Sequence, residues 1–404
     1  MPVSHAPSQQ KRHWLTPERV RLYAWASLAV TGITIGRLYY YAAIGIAVPG
    51  GYDFADFWSA SWLALHGQAI QAYDYKTLLK VAVTISPELS VIGPWLYPPT
   101  YLLMIWPLAL LPFPVSYLAF EIVAAAVLGL MLRRLLPMNA ARWPIAAICC
   151  FLPNLLHGQN GTMTACLGLA ALLLLGANRQ VWAGVCIGLL SVKPQLAILF
   201  PIALLCGRMW TAFVSAAVTA AVFAGIAMWV VGPGAFAAFI HANGFARQSL
   251  VDGTFPWWQM TTLYATLRLL HVPVTAALVA HAAVAVAATA AMVWIWFRQP
   301  SYAIRAAALV TATLLISPYL YLYDAVWLAI PIAFVVQHAL QHGWLRGERE
   351  MLLLAWMLPV GADSIARHYN VGLGPLVCIG VLVFLVIRTA RTDAKIFGKK
   401  LAHS

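Results

Sequence analysis

Long apolar runs separated by short polar connections dominate the chain. A run of about 20 apolar residues can cross a bilayer as a helix, and a helix bonds its backbone groups internally, as lipid requires. Runs such as VTAALVAHAAVAVAATAAMVWIWF lack the two-residue alternation of membrane β-strands. The pattern therefore predicts an all-α, polytopic membrane bundle of about twelve spans plus re-entrant or interfacial helices. The spans are predicted at residues 22–48, 115–132, 143–157, 160–177, 181–192, 194–207, 210–232, 273–297, 303–317, 323–340, 350–366 and 371–388.

Two stretches do not fit a simple count of spans. The segment YPPTYLLMIWPLALLPFP contains five prolines and is short. It is predicted to be re-entrant or interfacial, which requires protein or a water-filled cavity around its backbone. Residues 181–207 are too few for two comfortable spans, so either two short tilted spans or one deep hairpin is expected.

Composition and charge support a membrane class and indicate an orientation. Of the 404 residues, 62% are hydrophobic and only 9% are charged, and the mean hydropathy is +0.80. With the N-terminus in the cytoplasm, 18 of the 25 Lys and Arg residues fall on the cytoplasmic side. This bias follows the positive-inside rule and explains the net charge of +13 without a nucleic-acid partner.

The domain organisation follows from the same pattern. Residues 1–21 are predicted to be a cytoplasmic tail, and residues 22–388 a single transmembrane domain. External loops are expected at 49–114 and 233–272, and residues 389–404 form a basic cytoplasmic tail that contacts anionic lipid.

The acidic residues collect on the predicted outer face. In GGYDFADFWSASWLALHGQAIQAYD, apolar residues recur at helical spacing and predict an interfacial helix. Asp53 stands at its start, where it either caps the helix or has a chemical role. Asp56 either complements the helix dipole or joins that role, and Asp74 is predicted to cap the next helix.

Polar residues also interrupt the apolar runs at two predicted span ends. In LLHGQNGTMTA, the residues His157, Gln159 and Asn160 either satisfy helix ends or face a cavity. In GLLSVKPQLAILFP, Lys193 costs about 2.5–3.5 kcal/mol at the bilayer centre. Either it snorkels outward, or its ammonium points into a site, where phosphate is the natural counter-ion; Gln195 follows it.

Three weaker features complete the candidate set. In LLISPYLYLYDAVWL, the tyrosines, Tyr319 among them, suit an aromatic belt, but Asp324 does not. Arg247 and Trp257 in the second external loop are candidates for binding a sugar or closing a lid. Arg37, beside three tyrosines in the first span, is interpreted as an anchor in the lipid interface.

These residue types favour sugar transfer from a lipid-phosphate donor. A polyprenyl phosphate is a good leaving group when a cation neutralises its charge, so no general acid is required. One aspartate within hydrogen-bond reach of the acceptor hydroxyl would serve as the base. Attack opposite the leaving phosphate inverts the anomeric centre.

The motifs DFxxFWxA, YPP…PLALLP, HGQN, AGxxxGLLxxKPQ and SPYxxxYD occur in this order between about residues 50 and 330. In these motifs and their order, the chain resembles glycosyltransferase family 87, which includes polyprenyl-phosphate-mannose-dependent α-1,2-mannosyltransferases. The resemblance implies a GT-C fold, a site on the periplasmic or outer face of a bacterial plasma membrane, and Asp53 as base, with Asp56 its nearest rival. Tyr319 stands where many members have histidine.

The resemblance divides the candidate residues between donor and acceptor. The expected donor is a polyprenyl-phosphate sugar, with mannose favoured, and the expected acceptor is a glycolipid or polysaccharide. A divalent metal is not indicated, and no cofactor is required. Contact with the donor phosphate or lipid is expected for Lys193, Gln195, Tyr319 and Arg37; contact with the acceptor or sugar is expected for His157, Gln159, Asn160, Asp324, Arg247 and Trp257.

Two other functions fit the same residues. A transporter or flippase of lipid-linked sugars would also use an intramembrane lysine and broken helices, although the two halves of the chain show no internal repeat. A polymerase or ligase of envelope polysaccharide would use lipid-diphosphate donors, so the type of donor distinguishes it.

Overall fold

A computed structural model describes residues 13–44, 51–87, 89, 91–136 and 148–401. In these residues the regular secondary structure is helical and no strand forms; Met260 and Tyr321 make one isolated antiparallel bridge. The all-α prediction is confirmed. The α-helices are α1 Pro17–Ala43, α2 Tyr52–Leu65, α3 Tyr75–Ile85, α4 Pro99–Ile105, α5 Phe113–Leu135, α6 Ile148–His157, α7 Gly161–Gly176, α8 Gln180–Leu189, α9 Pro194–Ala197, α10 Leu199–Cys206, α11 Trp210–Val231, α12 Gly234–Asp252, α13 Leu263–Leu269, α14 Val274–Arg298, α15 Tyr302–Ile316, α16 Ala329–His342, α17 Glu348–Tyr369 and α18 Gly374–Leu401. Short 3₁₀ helices cover Ala69–Tyr73, Leu108–Leu110, Leu190–Val192, Trp257–Gln259 and Leu322–Leu328.

Within the described residues, five helical segments are long and apolar enough to cross a membrane, and each coincides with a predicted span. They are Phe113–Leu135, Trp210–Val231, Val274–Arg298, Leu322–His342 and Gly374–Thr392. Shorter apolar helices occupy Gly161–Gly176, Gln180–Val192, Pro194–Cys206 and Tyr302–Ile316, where four further spans are predicted. The total of about twelve spans stays a prediction.

Some of the sequence predictions fall on residues that the structure does not describe. Residues 45–48 of the first predicted span and 143–147 of the third lie outside the described residues. The same holds for residues 1–12 and 402–404 of the two predicted tails.

The two unusual stretches are both broken helices. In the first, α4 is followed by the 3₁₀ turn Leu108–Leu110, and Tyr101 and Leu102 of α4 are fully buried in protein. In the second, α8 runs through its 3₁₀ extension and ends at Lys193, after which Pro194 begins α9. Proline favours the first position of a helix because it has no N–H to leave unpaired there.

The described residues form three hydrophobic cores, and the two larger ones surround the elements discussed below. The larger core packs α5 to α10 against α14 to α18. The smaller core lies under α2, α3 and α4, and its centre is Phe57, whose ring centroid lies 6.1, 5.4 and 5.2 Å from those of Trp95, Tyr97 and Tyr101. Aromatic packing of this kind fixes α2 firmly, so the start of α2 is held against the larger bundle.

Two capping predictions have different outcomes. Asp74 caps α3 as predicted, since its carboxylate accepts hydrogen bonds from the backbone N–H of Thr77 at 3.1 Å and from its hydroxyl at 2.5 Å. The capping alternative for Asp53 is wrong, because α2 begins at Tyr52 with Gly51 as its N-cap residue. The backbone turns into the helix too early for Asp53 to reach the capping position.

Candidate active site

The HGQN turn joins the end of α6 to the start of α7 and lies between two other elements. Gly158 has a φ of +70°, and a Cβ there would lie 2.6 Å from the Cβ of Phe54 in α2. A Cβ on Gly161 would lie 2.5 Å from the carbonyl oxygen of Tyr323. Only glycine allows both close approaches. The turn therefore touches α2 on one side and the 3₁₀ helix Leu322–Leu328 on the other.

This contact orients the carboxylate of Asp53. Gln159 Nε2 donates to Asp53 Oδ2 at 2.9 Å, and the Tyr97 hydroxyl donates to Gln159 Oε1 at 2.9 Å. His157 Nδ1 lies 3.8 Å from the same Asp53 oxygen, and the side chains of His157 and Asp53 are 37% and 31% exposed. Asp53 is thus held at a fixed angle while remaining accessible from one side.

The surroundings make Asp53 a stronger base than an ordinary aspartate. Burial raises the pKa of its carboxyl above the usual 3.8, while the charge of His157, the hydrogen bond from Gln159 and the charge of Lys193 oppose that rise. A raised pKa increases the proton affinity of the carboxylate, which suits a general base.

Asp56 lies one turn further along α2 in a different environment. It is only 8% exposed, and its Oδ2 faces Gly93, whose backbone N–H bonds to it. Among the described residues, its Oδ1 has no hydrogen-bond partner. Burial first, and then the charge of Asp53, raise the pKa of Asp56 well above its ordinary value. Asp56 also lies beyond the first turn of α2, so it does not complement the dipole there.

Lys193 does not snorkel: it is 4% exposed and forms a buried ion pair. Its ammonium donates to Asp324 Oδ1 at 2.5 Å and to Asn160 Oδ1 at 3.1 Å, and lies 4.9 Å from the centroid of the Tyr323 ring. Asn160 is the N-cap residue of α7, but its side chain makes no cap bond. The lysine therefore joins the HGQN turn to the 3₁₀ helix that carries Asp324.

Two further side chains, those of Glu121 and Asn154, hold the HGQN turn in place, and neither was predicted from the sequence. Asn154 Nδ2 donates to both carboxylate oxygens of Glu121 at 3.1 and 3.0 Å, and Asn154 Oδ1 accepts from the backbone N–H of Thr162 at 3.1 Å. Both side chains are buried. The sequence features that could have predicted them are the lone carboxylate of Glu121 inside an apolar span and the position of Asn154 three residues before His157. Tyr97, from the YPP motif, was missed in the same way.

Three of the remaining predicted residues, Arg37, Arg247 and Trp257, have other surroundings than Asp53 and Lys193. Arg37 is on an exposed part of α1, 5.8 Å from the Tyr41 ring, and Arg247 is exposed on α12. Trp257 donates its indole N–H to a backbone carbonyl at 2.9 Å, and Arg268 covers its ring at 4.6 Å. The structure therefore shows a packing role for Trp257, and it shows both arginines exposed on the protein surface.

Gln195 and Tyr319 lie closer to the centre. Gln195 is partly buried on α9, two residues after Lys193. Tyr319 is partly buried just before the 3₁₀ helix, with its ring 5.3 Å from that of Tyr321. Burial is the main cause that raises the pKa of Tyr319, and the charges of Asp324 and Asp53 add to it.

No three His, Cys, Asp or Glu side chains in the described part of the chain come together as a metal site. The expectation that the chemistry requires no metal stays a prediction.

The fold and site define a helical membrane protein with a partly open carboxylate held by a polar turn. Comparison with protein families adds a sharper result: the sequence model of glycosyltransferase family 87 matches residues 95–318, more than half of the chain. The chain therefore belongs to glycosyltransferase family 87 and is a glycosyltransferase. No curated protein and no solved structure matches it.

The matched region does not contain the whole site. It includes the HGQN turn and Lys193, but Asp53 precedes it and Asp324 follows it. The contacts Gln159–Asp53 and Lys193–Asp324 bring these two outside residues against the matched region.

Proposed function

We propose that this glycosyltransferase moves a hexose from a polyprenyl-phosphate donor to a hydroxyl of a glycolipid or polysaccharide on the outer face of the bacterial plasma membrane. Mannose is the favoured sugar because of the family resemblance. The observation that carries the proposal is the hydrogen bond from Gln159 to Asp53, which ties an accessible carboxylate to the HGQN turn of the family-matched region.

The reaction assigns one step to Asp53. The acceptor oxygen attacks C1 of the donor sugar and passes its proton to the Asp53 carboxylate. The bond between C1 and the phosphate oxygen breaks, and its electron pair leaves with the polyprenyl phosphate. Attack on the opposite face inverts C1. We assign His157, whose Nδ1 lies 3.8 Å from Asp53 Oδ2, to orienting the same hydroxyl.

The geometry favours Asp53 over Asp56 for this step. Asp56 is buried against Gly93, whereas Asp53 is partly exposed, so an acceptor hydroxyl has better access to Asp53. We therefore assign Asp56 a structural role beneath the base. Lys193 supplies positive charge near Asp53; direct contact with a donor phosphate would require its ammonium to exchange Asp324 for the phosphate.

The test compares three aspartate-to-asparagine variants from the same external region. Purified protein is incubated with radiolabelled polyprenyl-phosphate mannose and total membrane glycolipids. Asp53→Asn is expected to lower kcat/KM by about 10²- to 10⁴-fold with donor binding retained. Asp56→Asn is expected to retain most activity, and Asp74→Asn is the matched control, since asparagine also caps helices.

Two results would contradict the proposal. Full activity of Asp53→Asn would exclude this residue as the base. Transfer from a polyprenyl-diphosphate sugar but not from the monophosphate would instead indicate a polymerase or ligase.

A further inference from the structure

An arginine lies against two aromatic rings at the end of the bundle opposite Asp53. The guanidinium carbon of Arg305 is 5.4 Å from the centroid of the Trp296 ring and 5.5 Å from that of the Tyr302 ring. The Trp296 indole N–H donates to the Arg305 carbonyl at 3.0 Å, and the Tyr302 hydroxyl donates to the Leu172 carbonyl. Because both rings are fixed and both attract a cation, the guanidinium is held in place.

The charge of Arg305 is not neutralised within the described residues. Its side chain is half-buried, its Nε is buried, and its guanidinium makes no hydrogen bond to the described part of the chain. No described carboxylate forms an ion pair with it. In contrast, the two buried Lys and Arg side chains among the described residues, Lys193 and Arg388, each pair with a carboxylate. A partly desolvated cation without a partner favours binding of an anion.

Two neighbouring loops bring further arginines beside the same rings. A Cβ on Gly176, the last residue of α7, would lie 2.9 Å from the Tyr302 ring, and Arg179 follows three residues later. A Cβ on Gly207, just after α10, would lie 3.1 Å from the tryptophan ring, and Arg208 is the next residue. Arg179 and Arg208 are both exposed. We call Arg179, Arg208 and Arg305 the arginine cluster.

The cluster lies far from the candidate active site and close to lipid-facing residues. The helix α7 starts at the HGQN turn and has 16 residues, so its other end is about 24 Å away. Trp182 on α8 and Trp210 on α11 follow the two loops and are 63% and 59% exposed. Tryptophan is enriched at the depth of the lipid headgroups. The cluster is therefore expected at headgroup depth, on the side that the charge bias predicts to be cytoplasmic.

A phosphate group fits the cluster better than a carboxylate of the protein does. The planar guanidinium group offers several N–H donors that match the oxygens of a phosphate. Basic pockets between membrane helices bind anionic lipid headgroups on the cytoplasmic side. The exposed rings of Trp182 and Trp210 add an apolar surface for acyl chains, which a soluble phosphate would not use.

We propose that the arginine cluster binds the phosphate of an anionic phospholipid in the leaflet opposite the candidate active site. Arg305 makes the central contact through its terminal N–H groups. Arg179 and Arg208 contact the remaining oxygens from the two loops. The site does not depend on the identity of the sugar donor or acceptor.

The test measures lipid binding to the detergent-purified protein. Energy transfer from tryptophan to a phosphatidylglycerol that carries a dansyl group on its acyl chain reports binding, and unlabelled lipids compete. We expect phosphatidylglycerol to compete at about tenfold lower concentration than phosphatidylcholine. Arg305→Gln is expected to weaken phosphatidylglycerol about tenfold. The matched control is Arg133→Gln, which removes the same charge from an exposed position at this end of α5 and should change binding little.

A second variant keeps the test valid if Arg305→Gln does not fold, which thermal unfolding without lipid would show. Arg179→Gln combined with Arg208→Gln changes exposed side chains alone and is also expected to weaken phosphatidylglycerol about tenfold.

Three outcomes would overturn the inference. The first is that phosphatidylglycerol and phosphatidylcholine compete equally well. The second is that the variants of the cluster weaken binding no more than Arg133→Gln does, because the attraction would then come from net charge. The third is that inorganic phosphate displaces the probe as effectively as phosphatidylglycerol, which would assign the cluster to a soluble anion.

Discussion

The buried pair of Lys193 and Asp324 allows a quantitative test of how the site is held together. Lys193→Met keeps a long unbranched side chain, shorter by one atom, and removes its charge. Asp324, which is 1% exposed, would then be left without its cation, 2.5 Å away in the native protein. Breaking a buried pair from one side costs about 3–5 kcal/mol. The bond to Asn160 is lost as well, worth about 0.5–1.5 kcal/mol.

Removing both charges should be much less harmful. In Lys193→Met with Asp324→Leu, no buried carboxylate is left unpaired, and apolar replacements of buried ion pairs are often close to neutral. The remaining loss should be about that of the Asn160 bond, 0.5–1.5 kcal/mol. The double variant should therefore be about 3–5 kcal/mol more stable than Lys193→Met alone.

The assay is unfolding of the detergent-purified protein followed by tryptophan fluorescence. Lys80→Met, an exposed lysine on α3, is the matched control and should change stability by less than about 0.5 kcal/mol. The reasoning is refuted if Lys193→Met is as stable as this control, or if the double variant is no more stable than the single one. Measuring donor binding distinguishes a role of Lys193 in stability from a role in contacting the donor phosphate. If Lys193 contacts the phosphate, the double variant will fold but will still bind the donor weakly.

Two further predictions concern the turn that holds Asp53, the proposed base. Gln159→Leu removes a hydrogen bond that lowers the pKa of Asp53, so the pKa of Asp53 should rise further. The acidic limb of the plot of kcat/KM against pH should then move to higher pH. If that limb does not move, Asp53 is not the base that titrates. Glu121→Ala leaves the buried Asn154 amide unpaired and should cost about 1–3 kcal/mol in unfolding experiments. Glu121→Gln retains an acceptor and should stay near wild type, and equal losses in the two variants would contradict this explanation.

The sequence was sufficient for the helical class and for most of the polar residues of the site, because both depend on local pattern. Apolar runs determine helices in lipid wherever they fold, and HGQN and Asp53 interrupt such runs visibly. The hydrogen bond between Gln159 and Asp53 joins residues 106 positions apart. No local sequence pattern predicts a contact between residues so far apart in the chain, so only the structure shows that contact.

The errors have a common physical origin. The snorkelling alternative for Lys193 assumed that lipid is its only surroundings, but Asp324, 131 positions away, provides a partner inside the protein. The capping alternative for Asp53 depended on where the backbone turns into α2, and that point is fixed at Gly51, two residues earlier. In both cases tertiary packing outweighed a preference that is correct for an isolated helix.

The two aspartates of α2 show how the fold can separate identical groups into different roles. Asp53 and Asp56 are three residues apart on one helix, so their intrinsic chemistry is the same. Asp53 faces Gln159 and His157 and stays partly exposed, whereas Asp56 faces the backbone of Gly93 and is buried. Because two nearby carboxylates disfavour ionising together, the burial of Asp56 and the partial exposure of Asp53 favour the negative charge on Asp53. The accessible member of the pair is then the one that remains able to accept a proton from an acceptor hydroxyl.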